Sequence, residues 1–110
     1  MTKRMQKNLN WLKVLQCCDK SELKGILKQT SATKVNALCD CIHNVLNGNV
    51  PIDSTTKEKL KTKKKVLRKV IDKKIKVPER RKLLVQHGGG IISSILVPTL
   101  LALGAKVLSR

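Results

Sequence analysis

The chain has 110 residues, with 24 lysines and arginines against 7 acidic residues and a formal net charge of +17. It holds Trp11 but no phenylalanine or tyrosine, so the stacking platforms of a single-strand nucleic-acid binder are missing. Two histidines and seven acids supply too few acid/base pairs for a catalytic centre, so neither an enzyme nor a cofactor is expected.

This length suits one domain with a modest core. The apolar residues are almost all aliphatic, and with abundant lysine they favour helix over sheet. The expected fold is therefore all-α: a small bundle of four or five helices followed by a glycine-linked apolar C-terminal helix. No apolar run follows Met1-Thr2-Lys3-Arg4, so no export signal is read, and Cys17, Cys18, Cys39 and Cys41 are expected as free thiols.

In chain order, Met5, Leu9, Leu12 and Leu15 predict a helix from Lys3 to Gln16. Asp19 and Glu22 form a capping box that opens a helix to about Gln29, with Leu23, Ile26 and Leu27 inward. Ser31 caps the next helix. Val35, Leu38, Cys39, Ile42, Val45 and Leu46 form its apolar stripe. Gly48 is placed for a left-handed turn at its end. Val50-Pro51-Ile52-Asp53 reads as extended chain. Thr55 and Glu58 predict a second capping box, and the helix they open runs to about Ile75. Leu60, Leu67, Val70, Ile71 and Ile75 face inward. Pro78 suits a first helical turn, and a short helix from Glu79 to Gln86 ends at Gly88. The division is thus a basic helical domain over residues 1–87, a glycine joint at 88–90, and an apolar segment over 91–110.

The charge is concentrated. Lys57, Lys59, Lys61, Lys63, Lys64, Lys65, Arg68, Lys69, Lys73, Lys74, Lys76, Arg80, Arg81 and Lys82 face only Glu58, Asp72 and Glu79, leaving +11 across 26 residues. A helix carrying this run presents a broad cationic face. Such a surface suits phosphate neutralisation on duplex DNA. Lysine outnumbers arginine, which favours point-charge contacts over bidentate reading of bases. A solvated helix face, an anionic membrane and an acidic partner are the competing readings.

Residues 90–105 carry no charge. The stretch is shorter than the roughly 20 residues of a spanning helix, and Ser93, Ser94, Pro98 and Thr99 interrupt it. It reads either as a helix packed on the domain or as an interfacial, membrane-perturbing segment using Ile91, Ile92, Ile95, Leu96, Leu100, Leu101 and Leu103. Cys39, Cys41 and His43 lie within one helix, where Cys39 and His43 share a face and Cys41 does not. No metal site is assigned, Cys39 is read as a core residue, and the other thiols are expected to be partly exposed.

The stretch HGGGIISSILVPTLLALGAKVL follows a lysine-rich block, and the order of basic block, glycine joint and Leu/Ile/Pro tail resembles the small core peptide of adenoviruses. Over Asn44 to Leu108 the pattern is similar to the core-peptide-like proteins of adintoviruses and Polinton/Maverick elements. The resemblance implies a virion protein that condenses or tethers double-stranded DNA in the capsid interior, with the host nucleus as its site during assembly. It also implies maturation by an adenovirus-type cysteine protease at Gly88, Gly89 and Gly90. That protease family prefers a bulky apolar residue two positions before the glycines, where this chain has Gln86. A freed tail would then act on a membrane during entry. Capsid scaffolding without DNA is a third reading.

Overall fold

The computed structural model describes residues 3–102, and over these the protein is all-α. Seven helices follow one another: α1 (Lys3–Lys7), α2 (Leu9–Cys17), α3 (Lys20–Lys28), α4 (Ala32–Leu46), α5 (Ser54–Val70), α6 (Val77–His87) and α7 (Ile91–Ala102). The count exceeds the expected one because the first helix is divided at Asn8. There the side-chain amide donates to the Arg4 carbonyl oxygen at 2.8 Å and competes with the helical ladder.

The predicted caps form at three places. Asp19 and Glu22 exchange hydrogen bonds of 2.8 and 3.1 Å with each other's backbone amides. Ser31 Oγ accepts from the Lys34 amide. At the end of α4, the Gly48 amide donates to the Val45 carbonyl and the Asn49 amide to that of Asn44, with Gly48 at φ 73°. That pair of bonds is the Schellman arrangement, and glycine supplies its left-handed residue without Cβ strain.

Two boundaries differ from expectation. Asp53, not Thr55, caps α5: its carboxylate accepts from the Thr56 amide at 2.7 Å. α5 then stops at Val70 rather than near Ile75. The Asp72 carboxylate accepts from the Lys74 amide, and Arg80 binds the carbonyl oxygens of Asp72 and Ile75. These bonds hold residues 71–76 in turns instead of a further helical turn.

The core is continuous. Met5, Leu12, Leu15, Leu38, Ile42, Ile92, Ile95, Leu96 and Leu100 all lie in it and are almost fully buried. α7 packs against α2, α4 and α5. From Ile91 to Leu100 the apolar segment is therefore part of the main core, while Leu101 and Ala102 are exposed. The glycines form a tight corner. Gly88 is buried, and a Cβ there would overlap the Leu84 carbonyl oxygen and the Ile92 side chain. Gly90 adopts φ 83°, and the Lys20 side chain runs alongside Gly89 and Gly90. Inside α7, Pro98 has no amide to offer Ser94, while the buried Thr99 hydroxyl donates to the Ile95 carbonyl oxygen at 2.8 Å.

Candidate nucleic-acid interface

α5 buries Leu60, Leu67 and Val70 and half-buries Thr56, Lys63 and Val66. Spacings of three and four keep this contact to one narrow edge of the helix. Seven cationic side chains on the rest of its circumference, Lys57, Lys59, Lys61, Lys64, Lys65, Arg68 and Lys69, are exposed. Within the helix Glu58 is the opposing charge, and its contact with Lys61 is a 3.4 Å pair between exposed groups. Such a pair contributes little in water. Among the described residues, neither the arginine nor any other lysine of α5 comes within ion-pair distance of a carboxylate, although Lys59 adds a longer-range attraction to Asp53. Arg68 and Lys69 also sit in the last turn, where the helix dipole favours positive charge.

Beyond α5 the fourteen candidates divide. Lys73, Lys74, Lys76 and Lys82 are exposed. Lys63 is half-buried, and its stem lines the seam where α5, α6 and α7 meet, with Leu67, Leu84 and Ile91. Arg80 and Arg81 are half-buried and hydrogen-bonded to the protein's own acceptors. Arg80 donates to Ile75 O at 3.0 Å, Asp72 O at 2.8 Å and Asn36 Oδ1 at 3.2 Å. Arg81 donates to Thr30 O at 2.6 Å, and its Nε is buried without a hydrogen-bond partner. Thr30 and Asn36 lie on elements that chain order does not bring near, while the carbonyl oxygens of Ile75 and Asp72 are close in sequence but, as backbone acceptors, leave no mark in it.

A second cationic row escaped the sequence reading. Lys20, Lys24 and Lys28 are exposed on α3, and their spacing of four places them on one face. Lys28 and Lys82 flank one shallow depression of about 330 Å³, so this row meets the end of the basic run. The spacing of four is present in the sequence, but these three lysines stand far from the dense run at 57–82 in chain order.

The cysteine and histidine pattern does not assemble a site. Cys39 and Cys41 are both buried, which corrects the expectation of an exposed Cys41, while His43 is exposed. Burial pushes the Cys39 thiol up, and that of Cys41 up to about 12, so neither is a thiolate at neutral pH. Cys39 donates to the Val70 carbonyl oxygen at the end of α5.

Of the residues expected to act on membranes, Ile91, Ile92, Ile95, Leu96 and Leu100 are buried, Leu101 is 58% exposed, and Leu103 lies outside the described residues. Among the described residues no single helix is long and apolar enough to cross a membrane. α6 and α7 meet that test only as a pair, bent by 106° at the glycine corner.

No family model, curated protein or solved structure matches this chain.

Proposed function

We propose that the protein binds duplex DNA without sequence preference, neutralising phosphates along α5, and that it condenses or tethers DNA as a virion core component. The observation that carries this reading is the exposed, almost uncompensated cationic surface of a 17-residue helix. At 1.5 Å per residue the helix is about 25 Å long. A duplex segment of that length carries about 15 phosphates, at one charge per roughly 1.7 Å. A lysine-rich helix on a folded scaffold meets such a target without reading bases. The virion setting rests on the resemblance of the basic block, glycines and apolar segment to core-peptide-like proteins.

The membrane reading requires α7 to leave the core. Five of its side chains are nearly fully buried against the rest of the protein. A bilayer would shelter those side chains, but the residues of α2, α4 and α5 that they leave would meet water. Release of α7 into a bilayer would therefore be coupled to general opening of the core.

The test is a charge reversal at Lys64, Lys65, Arg68 and Lys69, all changed to glutamate. These side chains are exposed, so helicity by circular dichroism should persist. Duplex binding at moderate salt should fall by about a hundredfold or more. Unchanged affinity in a folded variant would remove α5 as the interface.

A further inference from the structure

An open groove of about 680 Å³ lies between α4, the 71–76 turns and the start of α6, with Arg4 of α1 also in its lining. Arg80 lines it. Three of its five N–H bonds are taken by neutral acceptors, two carbonyl oxygens and the Asn36 amide. The guanidinium is half-buried, and among the described residues it has no carboxylate partner. Arg80 is thus a partly buried cation whose hydrogen bonds go to neutral acceptors rather than to a carboxylate. Asp40 also lines the groove, but it accepts both Nε and Nη2 of Arg4 at 2.8 Å, so that pair largely cancels itself. Lys73 and Lys76 are exposed at the rim beside Arg80, and His43 stands on the α4 side.

We propose that this groove is a discrete site for the oligophosphate group of a nucleotide. Arg80 is already fixed in position, so little ordering is required when an anion arrives. Lys73 and Lys76 supply mobile point charges for further phosphates. Ile71, Ile75 and Val77 form an aliphatic wall in the same groove. A bare inorganic anion has no use for that wall, whereas the sugar and base of a nucleotide do. The volume falls in the usual range for small-molecule sites. The site draws on none of the α5 lysines, so it stands or falls independently of duplex binding.

The experiment uses the full chain, isotopically labelled, titrated at 0.15 M salt without divalent cations against ATP, tripolyphosphate and adenosine in parallel. ATP should saturate at one equivalent and move amide signals of Asn36, His43 and residues 73–80. Tripolyphosphate should bind at the same residues more weakly, and adenosine should not bind. Changing Lys73 and Lys76 to glutamate should weaken ATP at least tenfold with Tm retained. Changing Lys64 and Lys65 to glutamate should alter ATP affinity less than threefold. Shifts spread along α5, or no saturation at millimolar ATP, would overturn the site. Tripolyphosphate binding as tightly as ATP would overturn the nucleotide and assign the groove to inorganic polyphosphate.

Discussion

Single side chains at the helix ends hold much of this architecture. Gly88 has φ −76°, so its requirement is space rather than an unusual dihedral. Replacing it with alanine drives a methyl into the Leu84 carbonyl and Ile92, and overpacking of this kind costs about 1–3 kcal/mol. Gly88→Ala should therefore show a clear loss of stability in urea unfolding, and an unchanged midpoint would mean that the α6–α7 corner is looser than described. Asp53 gives a pH-dependent case. The Thr56 amide bond holds its carboxyl below the usual aspartate range. With the folded pKa below the unfolded one, the cap stabilises above about pH 4 and is lost as pH falls through the folded value. Asp53→Ala should lower Tm at pH 7, and the gap to the parent protein should be smaller at pH 2. A gap of equal size at both pH values would show that the cap does not depend on the carboxylate charge.

Helices and their connections show how much was legible in advance. The α3 and α4 caps and the Gly48 turn were readable because each is made of bonds between residues three to five apart. The apolar stripe of α4 was readable for the same reason: its period is local. The end of α5 was not, because the Arg80 side chain holds the turns that replace its last expected residues through backbone carbonyl oxygens, which every residue offers alike. The identity of the α5 cap was missed because Thr55–Glu58 matched a capping box while Asp53, with a charged acceptor, stood two residues earlier. The glycine triplet was read as a hinge from composition alone, yet contacts from Leu84, Ile92 and Lys20 make it a packed corner. This bears on proteolysis. A protease that needs an extended substrate meets helix on both sides of Gly88–Gly90. Limited digestion with an adenovirus-type protease should leave the folded chain intact under conditions that cut it in denaturant. Rapid cutting of the folded chain would require the corner to open on its own.

At the scale of the whole molecule, composition and placement work against each other until a polyanion is present. The chain carries +17, yet its described ion pairs are few and partly exposed, so most of that charge is compensated only by solvent and salt. Net charge of this size destabilises a compact state by self-repulsion. The fold tolerates it by placing the ammonium groups on the outer faces of α3 and α5 and the aliphatic residues of α4 and α7 in one core. All-α architecture was legible from the aliphatic, lysine-rich composition. The joining of the apolar C-terminal helix to the main core was not, since a stretch without charge is equally suited to lipid and to protein interior. The most direct test of the account is the salt dependence of duplex affinity, measured between 50 and 200 mM salt on two unrelated sequences. Engagement of five to seven phosphates predicts a slope of about −4.5 to −6.3 in log K against log salt, the same for both sequences. A slope near zero, or a strong preference for one sequence, would contradict it.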